Sequence, residues 1–174
     1  VTPSAGALGS LTASVSTDTT GTGLGGVVSW NYSVADSAVE YLANGQTKLE
    51  TFSFNVLDGH GGTVSRTVGV TISGTDDAPL ISVVTTDSAA NTVKETDAAL
   101  SSSGTLTVVD ADLSDTVTAS VVSVVASDTT TGLGSNDAAL AAMLTLTPGP
   151  IAADAGDAHN LNWSFNSGSE AFDY

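Results

Sequence analysis

The sequence predicts an all-β protein, and three observations support this. Ser, Thr, Gly and Val are abundant, which favours strands and turns over helices. Hydrophobic residues make up 41% of the chain, enough for a core, although aromatic residues make up only 5% and leave the packing to Val, Leu and Ala. Several segments alternate polar and apolar residues between Gly-rich turns, which is the pattern of half-buried strands.

The clearest strand pair lies in Phe52–Pro79, FSFNVLDGHGGTVSRTVGVTISGTDDAP. Apolar residues alternate with polar ones along Phe52–Val56, and the alternation resumes along Val64–Ile72 after the turn Asp58–Gly62. A period of two on both sides of a Gly-rich turn predicts an antiparallel hairpin with one buried face. The second strand ends in the acidic linker Gly74–Pro79, because proline cannot donate to a strand ladder.

Shorter segments predict the remaining elements. Val28–Val34 and Val117–Val121 carry apolar residues at alternate positions, and Leu106–Val108 is a short strand before an acidic loop. Asp36–Ala43 and Asn136–Met143 each open with an Asp or Asn capping residue, which predicts single helical turns. Trp30 and Trp163 alternate with polar neighbours on strands, so we expect both in the core, with stacking on sugar rings as the alternative.

The chain contains an internal repeat. Trp30–Tyr41 resembles Trp163–Tyr174, with the Trp, a second aromatic residue, an Ala, an acid and the Tyr at constant spacing. Subtracting 30 from 163 gives an offset of 133 residues, and Leu11 maps onto Leu144 at the same offset. The chain therefore contains parts of two repeats.

The repeat predicts a junction near residues 75–80. Residues 1–79 would be the C-terminal part of one β-sandwich repeat, and residues 80–174 the N-terminal part of the next. A period near 133 residues exceeds the roughly one hundred residues of an ordinary sandwich. Two explanations remain open: an insertion around Asn136–Asp157, or a module that is split and completed by strands from either side of the junction.

The charge of the chain excludes some classes of partner. It has 19 acidic and 3 basic residues and a formal net charge of −16, so no basic patch can bind nucleic acid or an anionic membrane surface. Such a charge destabilises the compact state, because the carboxylates repel one another. Bound divalent cations would relieve this repulsion; alternatively, the acids form a solvated surface that binds no cation.

The absence of cysteine excludes disulfides and thiolate metal sites. Since no signal peptide or membrane-spanning run is present, we expect a fragment whose targeting signals lie elsewhere.

The strongest candidate metal site is the Asp110–Asp115 turn, Asp-Ala-Asp-Leu-Ser-Asp. Calcium takes six to eight oxygen ligands at about 2.3–2.6 Å, and alternate residues such as Asp110 and Asp112 can aim their carboxylates at one point while Asp115 closes the loop. The turn is not an EF-hand, because its flanks are strands and no Glu ends the loop. An ordinary acidic β-turn is the alternative.

Other acids would have to complete a calcium site. The candidates are Glu95, Asp97 and the junction pair Asp76 and Asp77.

The turn Asp58–Gly62 has three interpretations: a plain hairpin loop with glycines at positive φ, a calcium ligand at Asp58, or a catalytic or transition-metal role for His60. The third is weakened because no second His or Cys accompanies it. His159 lies in a polar loop, and we expect it to be solvated. The chain carries no metalloprotease, nucleophile-elbow or P-loop motif, so we expect no enzymatic activity.

Two motifs resemble a known family. The hairpin followed by SGTDDAP, Ser73–Pro79, resembles the end of a VCBS-type repeat, a cadherin-like module of giant secreted bacterial adhesins. Val93–Asp97 followed by Ser103–Asp112 is similar to the start of the next such repeat, and the resemblance covers about residues 27–125. It implies tandem Ig- or cadherin-like antiparallel β-sandwich modules, in which the Asp110–Asp115 turn, a first-strand acid and the linker meet at one end and bind calcium.

The resemblance also implies a function. The chain would be a calcium-rigidified extender repeat of an RTX-type, type I-secreted adhesin on the surface of a Gram-negative bacterium, spacing a distal ligand-binding region from the cell in adhesion and biofilm formation. Its partners would be neighbouring repeats of the same chain and calcium, with no nucleic acid and no membrane insertion by this segment, and it would be monomeric. A carbohydrate- or protein-binding module within such an adhesin is the alternative.

Overall fold

The computed structural model describes residues 1–21, 23–147, 149–154, 156–170 and 172–173. Tyr174, at the end of the internal repeat, lies outside these residues, as do Pro148 and Ala155 of the proposed insertion. The described chain is almost entirely β, in antiparallel sheets, which confirms the predicted fold class. It divides into two compact units, Val1–Asp76 and Asp77–Tyr174, with the boundary inside the linker.

The first unit contains two antiparallel sheets. One has the order β1-β4-β5, with β1 at Thr2–Pro3, β4 at Thr47–Leu57 and β5 at Thr63–Ser73; the other pairs β2, Ser10–Thr17, with β3, Val27–Ser33. β4 and β5 pair along their whole length, from Thr47 opposite Ser73 to Leu57 opposite Thr63, which confirms the predicted antiparallel pairing. The predicted buried face is confined to the part around Phe52, because Val56 and Val64 beside the turn are exposed. A 3-10 turn, Asp36–Ala38, follows β3, but no side chain caps it, so the predicted Asp36 cap is wrong.

The core of the first unit lies where β4 faces β3. Phe52 is 1% exposed, and its ring centroid lies 5.7 Å from that of Tyr32 in an edge-on arrangement. Trp30, by contrast, is 50% exposed, so the prediction that it belongs to the core is wrong. Its cross-strand partner is the small Ala13, and in the described chain β3 pairs with β2 alone.

The second unit is built around a four-stranded antiparallel sheet. Its strands, in the order β6-β7-β11-β9, are Leu80–Ser82, Ser101–Val109, Leu161–Asn166 and Leu144–Thr147; a separate ladder pairs β8, Thr116–Val117, with β10, Ile151–Ala152. The helix α1, Asp137–Ala142, begins after Asn136, whose side chain accepts the N–H of Ala139, as the capping prediction required. None of the described helices is long and apolar enough to span a membrane.

The core of the second unit joins one end of the four-stranded sheet to the β8–β10 ladder. Val108, Ile151 and Leu161 are buried together, with Val117 and Leu146 packed against them. Asn160 lengthens the β7–β11 ladder, because its amide accepts the N–H of Val108 and donates to the Val108 carbonyl, both at 2.8 Å.

One strand pair of each unit follows the same register. The facing residues are Leu11–Tyr32 and Ala13–Trp30 in β2–β3, and Leu144–Phe165 and Leu146–Trp163 in β9–β11. Each residue of the second pair lies 133 positions after its equivalent in the first, which is the offset of the sequence repeat. β2 and β3 are therefore the structural equivalents of β9 and β11.

Candidate metal centre

The loop between β7 and β8 contains the Asp110–Asp115 turn. Asp110 directly follows β7, and its Oδ1 accepts the N–H of Asp112 at 3.1 Å, while the Asp112 carbonyl accepts the N–H of Asp115 at 2.8 Å. These bonds fold the segment tightly, with Asp110 and Asp112 both buried. The carboxylate of Asp110 therefore stabilises the turn by a hydrogen bond to its backbone.

Asp112 is the centre of the candidate site. Its side chain is completely buried; Oδ2 accepts the N–H of Asp77 at 2.7 Å, whereas Oδ1 has no hydrogen-bond partner among the described residues. A buried acceptor left unpaired costs about 1–3 kcal/mol, and more when it is charged. A carboxylate oxygen of Asp115 lies within 4.8 Å of one from Asp112. Two hard oxygens, one of them buried without a hydrogen-bond partner among the described residues, could hold a metal ion.

The junction acids occupy different positions. The backbone of Asp77 contacts the turn through its N–H, as described above. Asp76 is exposed and is the last residue of the first unit, so its role as a ligand stays a prediction.

A second carboxylate group contains Glu95, Asp97 and Asp173, with oxygens within 4.8 Å of one another. The hydrogen bond with Asp173 raises the pKa of Glu95, and partial loss of solvent and the charges of Asp173 and Asp97 raise it further. All three residues are exposed, so this is a weaker candidate than the Asp112 site. The sequence singled out Glu95 and Asp97 but not Asp173, and their predicted role beside the Asp110–Asp115 turn stays a prediction.

Asp58 organises the loop of the β4–β5 hairpin. Its Oδ1 accepts the N–H groups of His60 at 2.8 Å and Gly62 at 2.9 Å, and these two bonds lower the pKa of the carboxyl group. Gly59 and Gly61 have positive φ angles of 75° and 103°, which glycine adopts without strain. This geometry favours the plain hairpin-loop interpretation, and calcium binding by Asp58 stays a prediction.

Sequence reasoning missed a buried carboxylate in the first unit, Glu50 of β4, which is 1% exposed. Its oxygens accept the N–H of Leu8 at 2.6 Å, the N–H of Gly9 at 3.1 Å and the Tyr32 hydroxyl at 3.0 Å. Burial raises the pKa of Glu50, but these hydrogen bonds, aided by the charge of Lys48, outweigh it and leave the pKa below its ordinary value. Since its oxygens are satisfied, we assign Glu50 a structural role.

A second satisfied carboxylate, Asp87, corrects the expectation that His159 is only solvated. The side chain of Asp87 is inaccessible, and its oxygens accept His159 Nδ1–H, the Thr105 hydroxyl and the Thr107 hydroxyl, each at 2.7 Å. Burial raises the pKa of Asp87, but the hydrogen bonds from His159, Thr105 and Thr107 hold it well below its usual range. The Thr107 hydroxyl also accepts the His159 N–H at 3.0 Å, which fixes the loop.

We expect Asp87→Asn to lower the melting temperature of the second unit at pH 7, because one acceptor oxygen becomes a donor facing other donors. The pKa of Asp87 is depressed in the folded state, so its contribution is complete above the unfolded pKa of about 3.9 and is lost as the pH falls through the folded value. The difference between the two proteins should therefore shrink below about pH 4. Calorimetric melts from pH 7 to pH 2 measure it, and equal melting temperatures at pH 7 would contradict this role.

Comparison with protein-family models and with curated proteins finds no match for this chain. The likeness to VCBS-type repeats therefore stays a prediction from the quoted motifs.

Proposed function

We propose that this chain is a calcium-rigidified extender segment of a large bacterial cell-surface adhesin. The observation that carries the proposal is the Asp112 side chain, buried with one oxygen unpartnered and the other bonded to the Asp77 N–H. A divalent cation would compensate this buried charge, and calcium accepts the irregular, oxygen-only ligand sets that such a loop offers.

The proposed mechanism is a loss of freedom in the linker Gly74–Pro79. Calcium would be held by Asp112 and Asp115, with Asp76 as a predicted further ligand and water completing the shell. Because the Asp77 N–H bonds to the carboxylate that binds the ion, fixing Asp112 also fixes the backbone at Asp77. Without the ion, the clustered acids of a chain with net charge −16 repel one another and leave the linker free to bend.

This mechanism suits a protein that acts as a spacer. Stiff, consecutive β-sandwich repeats would hold a distal ligand-binding region away from the cell, in a type I-secreted adhesin that supports attachment and biofilm formation. The segment itself needs no catalytic group; its partners are calcium and the neighbouring repeats of its own chain.

Calcium is expected to raise the melting temperature of the chain and to lengthen and stiffen the particle in solution. Calorimetry with 1–5 mM calcium and with excess chelator measures the first effect, and small-angle scattering of the same samples measures the second. A cation at one hundred times its dissociation constant contributes about 2.7 kcal/mol. Identical melting curves and scattering profiles in the two conditions would contradict the proposed function, and magnesium at the same concentration tests the choice of ion.

A further inference from the structure

In the described part of the second unit, β8 and β10 cover the apolar face of the four-stranded sheet at one end only. Val117 of β8 and Ile151 of β10 pack over the end that contains Val108. The other end forms a groove of about 480 Å³, which we call the Trp163 groove; its lining includes Trp163, Phe165, Leu144, Leu146, Ser102 and Val93. Among the described residues, no strand of another sheet and no helix lines this groove, so this end of the sheet face lacks the second layer that β-domains normally have.

In the first unit, the equivalent strand pair β2–β3 does have another sheet packed on its apolar face. Tyr32, the equivalent of Phe165, contacts the ring of Phe52 in β4 and donates its hydroxyl to Glu50 at 3.0 Å. Leu11, the equivalent of Leu144, is buried, whereas Leu144 itself is only half-buried. The β4–β5 hairpin therefore covers in the first unit the position that is open in the second.

For the two tryptophans the relation is reversed, because the second unit covers its tryptophan and the first unit leaves its own half-exposed. Trp163 donates its Nε1–H to the Ser88 carbonyl at 2.6 Å and packs on Gly104 of β7, where a Cβ atom would lie 2.6 Å from Nε1. Its equivalent Trp30 is half-exposed, and in the described chain β3 pairs with no strand on the edge where β11 pairs with β7. Among the described residues, the first unit therefore has no equivalent of β7 beside β3, and the second unit has no equivalent of the β4–β5 hairpin.

We propose that the Trp163 groove is the docking site for a second copy of the β4–β5 hairpin, supplied by a neighbouring repeat of the same polypeptide. The offset of the repeat indicates how such a hairpin would be joined to the second unit. Tyr174 is the equivalent of Tyr41 in the sequence, so in a tandem arrangement a copy of Leu42–Asp76 would follow Tyr174. The copied Phe52 would pack against Phe165 as Phe52 packs against Tyr32.

The groove also offers a polar group to such a hairpin. Ser102 faces Phe165 across the β7–β11 ladder, and its Oγ is buried without a hydrogen-bond partner among the described residues. A copied Glu50 would accept from this hydroxyl in place of the Tyr32 hydroxyl, which Phe165 lacks. One complete module would then consist of the second unit followed by the copied hairpin. This docking does not require calcium.

The test extends the full chain at its C-terminus by a copy of residues 42–76. The matched control has the same extension with Phe52→Ser in the appended copy only. All the proteins compared also carry Trp30→Phe, so that Trp163 is the fluorescent reporter. With the intact extension, we expect amide exchange in β9 and β11 to slow at least about tenfold, the melting temperature to rise by about 5 °C or more, and the Trp163 emission to shift to the blue. The Phe52→Ser extension should give little or none of this.

Two results would overturn the proposal. One is an intact extension that leaves exchange in β9 and β11 unchanged, or that acts no differently from the Phe52→Ser control. The other is a concentration-dependent dimer of the unextended chain that protects Trp163, because a second molecule would then be the occupant of the groove.

Discussion

Asp112→Asn is expected to lower the melting temperature in calcium and to raise it in chelator. Without a cation, the native chain buries a carboxylate whose Oδ1 has no described partner, and the substitution removes that charge while leaving one oxygen for the Asp77 N–H. With calcium, the substitution would remove the proposed ligand and with it the binding energy that calcium would add to the fold, which is about 2.7 kcal/mol at one hundred times the dissociation constant. For a unit of this size, that corresponds to a shift of about 10 °C or more.

Calorimetry of the wild-type and substituted chains in 5 mM calcium and in chelator measures both effects. Asp128→Asn is the matched control, since it makes the same charge change on an exposed loop and should alter neither melting temperature appreciably. A substitution at Asp112 that shifts the melting temperature equally in both conditions would show that this side chain does not act through a cation.

Glu50→Gln is expected to destabilise the first unit by about 2–3 kcal/mol, with or without calcium. The substitution turns one of the two acceptor oxygens into a donor, which then faces the backbone N–H of either Leu8 or Gly9. Because the folded pKa of Glu50 is lowered, its contribution is complete above the unfolded pKa of about 4.3 and declines as the pH falls through the folded value.

Urea unfolding followed by the fluorescence of Trp30, in a Trp163→Phe background, measures the loss for the first unit. Glu40→Gln, at an exposed position, is the control with the same chemical change. If the two substitutions had equal effects, the hydrogen bonds of Glu50 would not be important for the stability of the unit.

The local parts of this structure could be predicted from the sequence. The β4–β5 hairpin follows from alternating residues around an Asp-Gly turn, both of which act over a few residues. Even there, the alternation predicted a strand that begins at Phe52, whereas β4 begins at Thr47. The difference arises from Glu50, an acid at an inward-facing position, which interrupts the apolar pattern; its position two residues before Phe52 is the signal that could have revealed it.

The candidate site was predicted in part, since an acidic turn at Asp110–Asp115 is visible in the sequence. The feature that makes Asp112 a candidate ligand is not local, because its Oδ2 bonds to a backbone group 35 residues earlier in the chain. The pair of Asp87 and His159, 72 residues apart, was missed for the same reason. Side chains joined across a sheet by such long separations leave no periodic pattern.

The tryptophans show what a strand pattern leaves undecided. Trp30 and Trp163 occupy equivalent positions in equivalent strand pairs, yet one is half-exposed and the other is held against β7. The alternation identifies which face of a strand is apolar. It does not show whether a neighbouring strand, such as β7 beside β11, is present to contact the side chains on that face.

The central claim, that calcium binds at Asp112, is tested most directly by calorimetric titration of the chelator-treated chain with calcium chloride. We predict saturable binding whose tightest site is lost in Asp112→Asn and retained in Asp128→Asn. The absence of saturable binding to the wild-type chain, or an unchanged isotherm for Asp112→Asn, would contradict the claim.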